Sequence, residues 1–305
     1  MTTPKKRSVR LPAFAKINLC LHVMGKRPDG YRELRTIFQA VSLRDMLEIS
    51  VTPGSGALDI DLGCNDPALM VNPRENLVMR AIQAIADEIG FRGHVSAQLD
   101  KKIPIARGLG GGSSDAAAAL IGMLRLTKAK VALERLMEIA AGLGADVPFF
   151  LFGGRAVAVN RGDEIYPLPD LPKRTILIVS PRGIGVSTKE AYGWVSEELT
   201  NRAKPPKIWG FCALCWSRQG AGVSNDFEVP VFRRHPRLGE IRDGLLQGGA
   251  ADAALAGSGS AVFGVFRNPA QARRTARAFR EDSVYVVETL SRENYGRALG
   301  WRVTG

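Results

Sequence analysis

The sequence predicts an α+β fold in two domains, on three observations. Short runs of alternating apolar and polar residues dominate its first third. Helical periodicity follows a glycine-dense loop, and prolines at 167, 169 and 172 separate this half from a second one of mixed pattern. The expected domains are residues 1–165 and 166–305, each long enough for a modest core. A hydrophobic content of 45% with 7% aromatics is that of a globular chain, and no apolar run approaches the length needed to span a bilayer.

The first element is a strand over Ala13 to Val23. Ala15, Ile17, Leu19, Leu21 and Val23 fall on one face, while Lys16, Asn18, Cys20 and His22 fall on the other. Period two therefore sets Lys16 beside Asn18. Further strands are expected at Thr36 to Leu43, Met46 to Val51, Ala57 to Leu62 and Val95 to Ile103. A helix runs from Asn76, a capping residue, to Ile89, stopped by Gly90. Helices over Ala116 to Leu126 and Leu133 to Leu143, a short element at Val147 to Leu151 and a strand from Arg155 to Asn160 complete the first half. Beyond the prolines, strands are expected at Thr175 to Ser180, Ala261 to Phe266 and Ser283 to Leu290, with helices at Leu238 to Gln247 and Ala270 to Arg280. Residues 199 to 224 show no usable periodicity.

The stretch PIARGLGGGSSDAAAAL, Pro104 to Leu120, carries the strongest functional signal. Glycines at 108, 110, 111 and 112 let the backbone turn tightly and approach a ligand without β-carbon interference. Ser113, Ser114 and Asp115 read as cap residues of the helix that follows, whose free N–H groups and positive dipole end suit a polyphosphate. Two better-known motifs are excluded. A P-loop needs lysine after its last glycine, where Ser113 stands. The dinucleotide pattern G-x-G-x-x-G meets Ser113 when started at Gly108 and Asp115 when started at Gly110.

A formal net charge of +12 points to an acidic partner, and charge alone does not choose among nucleic acid, anionic membrane and phosphorylated small molecule. Apart from a cluster at Lys5 to Arg10 the basic residues are scattered and lack interleaved aromatics, so a solvated basic surface and tail is expected rather than a nucleic-acid site. The basic N-terminal stretch is not followed by the apolar region of a secretory signal, and the expected location is cytoplasmic. Cys20, Cys64, Cys212 and Cys215 are too few for a disulfide scaffold. The histidines at 22, 94 and 235 show no metal spacing, so Cys212 and Cys215 read as thiols in an apolar setting.

Three further segments carry polar groups of open role. Asp146, in LGADVPFF, is either a helix cap before Pro148 or a reactive carboxylate, the latter if it meets Lys16 at the glycine loop. The small-residue loop Ala256 to Ser260 approaches either the phosphate site or a neighbouring strand. Asn225-Asp226-Phe227-Glu228 either caps the helix after it, the default reading, or lines a cleft.

Taken together, AKINL at 15–19, DGYRELRTIFQ at 29–39, GLGGGSSDAA at 108–117, LGADVPFF at 143–150, VSTKEAY at 186–192, NDFE at 225–228 and GSGSAVFG at 257–264 resemble the superfamily of galactose, homoserine, mevalonate and phosphomevalonate kinases. The glycine loop and GSGS are general to that superfamily. AKINL, the DGYRELRTIFQ block and LGADVPFF together resemble the branch that phosphorylates the C2 hydroxyl of 4-diphosphocytidyl-2-C-methyl-D-erythritol in the non-mevalonate route to isoprenoids. The resemblance implies an N-terminal domain like the second domain of ribosomal protein S5, a C-terminal ferredoxin-like domain, and ATP with Mg²⁺ bound between them. It implies Asp146 as general base and Lys16 as its partner. Nucleotide contacts are implied for Pro104, Gly108, Leu109, Gly110, Gly111, Gly112, Ser113, Ser114, Asn76 and Lys101. Asn18, Tyr31, Arg32, Phe38, Thr188 and Tyr192 are implied to line the substrate pocket, the aromatics suiting a cytosine base. Alternatives are a kinase of the same superfamily acting on another alcohol and a non-catalytic RNA-binding relative. The chain departs from the branch at Arg32, where histidine is usual, and at Ala106-Arg107, where smaller residues precede the loop. Guanidinium only donates hydrogen bonds, so Arg32 is expected at the cytosine carbonyl or the diphosphate. Arg107 is expected either at a phosphate or in solvent.

Overall fold

The structure, a computed structural model, describes residues 6–26, 32–200 and 222–303. Two long strands, β1 (Arg7–Lys26) and β2 (Arg32–Pro53), pair antiparallel and form the spine of the N-terminal half. The two strands expected at 36–43 and 46–51 are one. A register shift between Phe14 and Ala15 absorbs the extra residues opposite as a bulge, which bends the ladder without ending it. Strands β3 (Asp59–Cys64) and β4 (Gly93–Asp100) extend the sheet beside the C-terminal part of β2. Strands β5 (Arg155–Asn160) and β6 (Glu164–Pro167) extend it beside the N-terminal part.

Helices α1 (Leu77–Ile89), α2 (Gly111–Thr127), α3 (Leu133–Leu143) and α4 (Val147–Phe152) belong to the core built on this sheet. Asn76 caps α1 by accepting from the Val78 N–H, and Gly90 ends it at φ 66°, as the sequence predicts. Helix α2 is buried on nearly every side, which explains its alanine run. Small residues let it lie close against the strands, and a β-carbon at Gly122 would come within 2.9 Å of the Ile49 side chain.

The second half contains β7 (Thr175–Ser180), α5 (Thr188–Thr200), β8 (Ser224–Asn225), α6 (Glu228–Arg234), α7 (Pro236–Gln247), β9 (Asp252–Leu255), β10 (Val262–Phe266), α8 (Pro269–Ala276), β11 (Ser283–Glu288) and α9 (Arg292–Leu299). Its sheet runs β11-β7-β10-β9, with each neighbouring pair antiparallel, which is the strand order of a ferredoxin-like β-α-β-β-α-β unit. The α+β expectation therefore holds. Cys212 and Cys215 lie outside the described residues, as does most of the unpatterned stretch 199–224. Among the described residues no helix is long and apolar enough to cross a membrane.

The halves are tied at several places. Strand β8 pairs parallel with β1 at Cys20 and Leu21. Ile17, Val41, Leu109, Ile178, Ala256 and Phe263 share one buried cluster. Helix α9 returns to the N-terminal core, where the Tyr295 hydroxyl donates to the Phe150 carbonyl at 2.7 Å and the Trp301 indole to the Leu151 carbonyl at 3.1 Å. These carbonyls close the short helix α4 and would otherwise be orphaned. Gly153 follows at φ 62°, where a β-carbon would stand 2.2 Å from the Tyr295 ring.

Two measurements check these ties. Tyr295→Phe removes the partner of a buried carbonyl and is expected to lower the unfolding free energy by about 1–3 kcal/mol in a urea melt; an unchanged midpoint contradicts it. His22 lies 3.5 Å from Asp226, and hydrogen bonding to Asp226 and then Cys20 raises it, against burial, from 6.5 to about 9. A raised folded value means stability is present in full below 6.5 and is lost as pH climbs through about 9. His22→Gln should flatten the stability profile across that window.

Candidate functional site

The glycine loop is shaped by close approach as much as by turning. Gly108 and Gly110 sit at φ 78° and 71°. A β-carbon at 108 would stand 1.8 Å from the Ala256 carbonyl oxygen. One at 110 would stand 2.8 Å from the Phe150 ring and 3.0 Å from Lys16 Cγ. Helix α2 begins one turn earlier than the sequence predicts: Gly110 is its N-cap, and the first intrahelical bond runs from the Ser114 N–H to the Gly110 carbonyl at 2.9 Å. Ser113, Ser114 and Asp115 are therefore inside the helix and do not cap it. The left-handed backbone that glycine allows at 110 starts the helix, and no side-chain cap is made.

Two cavities meet at this loop. One, of about 330 Å³, is lined by Asn76, Lys101, Pro104, Gly108 to Ser113, and Asp115. The other, of about 920 Å³, lies on the far side and is lined by Lys16, Asn18, Arg32, Phe38, Asp146, Thr188 and Tyr192 among others. Gly108, Gly110 and Ser113 border both. The loop is thus a thin partition, with the first-turn amides of α2 at its edge.

Lys16 and Asp146 meet at that partition, 3.4 Å apart, the lysine nearly buried and the carboxylate 31% exposed. The Lys16 backbone N–H donates to the Leu109 carbonyl at 3.0 Å, its ammonium donates to Asn18 Oδ1 at 2.8 Å, and the same ammonium lies 5.1 Å from the centre of the Phe38 ring. The face that carries Lys16 and Asn18 is therefore buried, and their predicted adjacency is realised. Asp146 stands at the N-cap position of α4 but makes no cap bond. Its backbone is α-helical at φ −82°, and Pro148 offers no N–H to receive, so the carboxylate turns toward the cavity. A carboxylate beside a cation remains available to accept a proton from a hydroxyl brought within reach.

Around the larger cavity, Arg32 donates to the Ser196 hydroxyl, and the Thr188 and Ser258 hydroxyls are 3.0 Å apart. The Tyr192 ring meets Phe227 edge-on at 4.9 Å. Burial and then the negative charge of Asp146 push its phenol up. Phe38 packs against Phe149 at 5.0 Å. Tyr31 lies outside the described residues. The lining includes four cations, Lys16, Arg32, Arg161 and Lys189, and one carboxylate, Asp146.

At the smaller cavity Lys101 is not a lone cation. It pairs with Asp115 at 2.7 Å and with fully buried Asp45, whose other oxygen accepts from the Lys102 and Ile103 backbone N–H groups. Burial alone lowers Lys101, but the two carboxylates outweigh it and raise it. Burial pushes Asp115 up to about 7 against the opposing pull of Lys101, and its Oδ1 makes no hydrogen bond. The Asn76 side-chain oxygen is taken by the cap of α1. Among the described residues no cluster of three acidic, histidine or cysteine side chains could cage a metal.

One expectation changes at the neighbouring loops. Arg107 lines the smaller cavity and also donates to the Ser260 hydroxyl, which donates to the Ile184 carbonyl and so ties the glycine loop to the second half. Asn225 does not cap α6. Its amide donates to the Leu255 and Gly257 carbonyls, and its oxygen accepts from the Phe227 N–H. The 256–260 loop serves both readings left open, packing on the Gly108 backbone and bordering the larger cavity at Gly257 and Ser258. Sequence reasoning missed Asp45, Thr36 and Ser196. Thr36 opens one expected strand and Asp45 falls between two, and neither position signals a buried hydrogen-bonding role.

Comparison with known proteins agrees with this geometry. Residues 76–154 match the GHMP kinases N terminal domain, and residues 207–284 match the GHMP kinases C terminal domain. The chain is 44% identical over 301 residues to 4-diphosphocytidyl-2-C-methyl-D-erythritol kinase of Solibacter usitatus, spanning 97% of this chain and 92% of that one. It is 37% identical to the kinase of the same name from Geobacter metallireducens, over 92% and 97% of the two chains. A crystal structure of 4-(cytidine 5'-diphospho)-2C-methyl-D-erythritol kinase superposes with a TM-score of 0.76 at 36% identity, covering 92% of this chain and 99% of the other. Homoserine kinase from Cytophaga hutchinsonii shares the fold at a TM-score of 0.67 and 17% identity, over 95% and 96%. The chain belongs to the GHMP kinases, in the branch of the 4-diphosphocytidyl-2-C-methyl-D-erythritol kinases.

Proposed function

We propose that the protein is a cytoplasmic kinase that transfers the γ-phosphoryl group of ATP to the C2 hydroxyl of 4-diphosphocytidyl-2-C-methyl-D-erythritol. The observation that carries this reading is the Lys16–Asp146 pair, set at the glycine partition between a small cavity and a larger, cation-lined one. Domain 1–165 supplies that pair and the loop, and domain 166–305 closes the acceptor side with Thr188 and Tyr192.

Asp146 takes the hydroxyl proton as the C2 oxygen attacks the γ-phosphorus and the bond to ADP breaks. No covalent enzyme intermediate is formed. Lys16 holds the carboxylate in place from 3.4 Å and offsets charge on the phosphoryl oxygens in flight. Gly108 to Ser114 hold the phosphates by backbone amides, the close approach that β-carbons would block. Pro104, Asn76 and Lys101 border the rest of the nucleotide. Mg²⁺ would bind here without a protein cage; Glu75 and Asp115 are the lining carboxylates that would hold it, and it would neutralise phosphate charge.

On the acceptor side, four cations against one acid suit a diphosphate. Asn18 and Thr188 offer polar contacts, and Tyr31, Phe38 and Tyr192 offer aromatic faces for cytosine. Arg32, already held by Ser196, is positioned to donate to the diphosphate or the base carbonyl.

Asp146→Asn is expected to lower kcat by at least about 100-fold in a coupled ADP-release assay, while ATP binding measured by calorimetry is kept. Turnover near the parent level would rule out the general-base role. Arg32→Ala should raise the acceptor KM about 10-fold and leave kcat within a few-fold, the mark of a contact made equally in ground and transition states. An unchanged KM removes Arg32 from the pocket.

A further inference from the structure

We infer that Thr36 is a positioning residue for Lys16. Its hydroxyl fixes the Asn18 amide, and that amide aims the lysine ammonium at Asp146 and the glycine partition. This rests on the role given to Lys16 above.

Four groups form one buried line. Lys16 Nζ donates to Asn18 Oδ1 at 2.8 Å, Asn18 Nδ2 donates to Thr36 Oγ1 at 2.8 Å, and Thr36 Oγ1 donates to the Cys20 carbonyl at 2.6 Å. The three side chains are 4%, 2% and 1% exposed, so water does not compete for these bonds. Each role is forced. An ammonium can only donate and a peptide carbonyl can only accept, so the line runs in one direction. Asn18 must turn its oxygen to Lys16, which commits its two-proton nitrogen to the opposite side. Only an acceptor there keeps that buried nitrogen satisfied, and the Thr36 hydroxyl accepts because it can pass its own proton to Cys20.

The backbone makes this reach possible. On β1 and β2, Lys16 faces Ala40 and Asn18 faces Phe38, and the register then slips between Asn18 and Cys20, leaving Thr36 opposite Leu21. The bulge lets the Thr36 side chain reach the Asn18 amide and the Cys20 carbonyl together. Without the hydroxyl, the Asn18 nitrogen faces no acceptor, and any rotation that finds one carries the oxygen away from Lys16.

The test exploits two opposite truncations of threonine. Thr36→Val keeps the shape and deletes the hydroxyl, whereas Thr36→Ser keeps the hydroxyl and deletes a methyl. A positioning role predicts that Thr36→Val lowers kcat by about 100-fold, the scale of a misplaced reacting group. Thr36 and Asn18 both border the larger cavity, so in the same variant the KM for ATP should move less than about 3-fold and the fall in kcat should exceed any rise in the acceptor KM. Thr36→Ser should restore kcat to within about 3-fold of the parent. Thr36→Ala, also lacking the hydroxyl, replaces valine if thermal melts show Thr36→Val to be misfolded, with the same loss expected. Full turnover in a hydroxyl-free variant, or equal loss in Thr36→Ser, overturns the inference, the second outcome marking a packing role. Lys16→Ala is assayed alongside. If it keeps full turnover, the reading of Lys16 fails and takes this inference with it; if it is inactive while Thr36→Val is unimpaired, only the inference falls.

Discussion

Everything at the site depends on three backbones coming closer than side chains would permit. The Lys16 amide bonds to the Leu109 carbonyl, and Gly108 lies against Ala256 and Gly257 so tightly that a β-carbon would overlap the Ala256 oxygen. Strand β1 supplies the lysine, the glycine loop supplies helix-start amides, and the 256–260 loop closes the far wall. Remove the glycine at 108 and these surfaces separate. The glycines therefore serve two purposes, turning the chain and making the partition thin enough for two cavities to share it.

Buried charge then fixes what the backbones bring together. Asp45 holds the end of β4 through two amides and holds Lys101, and Lys101 holds Asp115 near the start of α2. One ammonium balances two carboxylates in a space nearly closed to water, where breaking a pair leaves a charge without compensation. Burial accordingly keeps Asp115 near 7, against the pull of Lys101. Among the described residues the larger cavity has the opposite balance, with four cations and one acid, Asp146, which favours a polyanion.

The two halves are less separable than their order along the chain suggests. Helix α9 supplies the Tyr295 hydroxyl, and Trp301 just beyond it supplies the indole, that close α4, and α4 follows Asp146 directly. Asn225 clamps the 256–260 loop, while β8, of which it is part, pairs with β1 beside Cys20. The acid is thus held by the end of the chain, and the lysine's strand is flanked by a segment some 200 residues away.

Local pattern was enough for much of this. Period two in 13–23 placed Lys16 beside Asn18, Asn76 and Gly90 bounded a helix, and the glycine density of 108–112 marked a tightly turned loop, because each depends on neighbours within a few residues. The motif blocks carried the family for the same reason. Local reading failed where the packed chain decided. A bulge opposite Phe14 merged two expected strands, and Pro148 and a helical φ freed Asp146 from capping. Thr36 looked like an ordinary first residue of a strand and Asp45 like a break between two, since their partners are 16 or more residues away. The sequence by itself determined which elements form and which residue types are available for phosphate chemistry. Only the tertiary structure decided which of them meet, because burial, register shifts and long-range hydrogen bonds are properties of the packed chain and leave no trace in local periodicity.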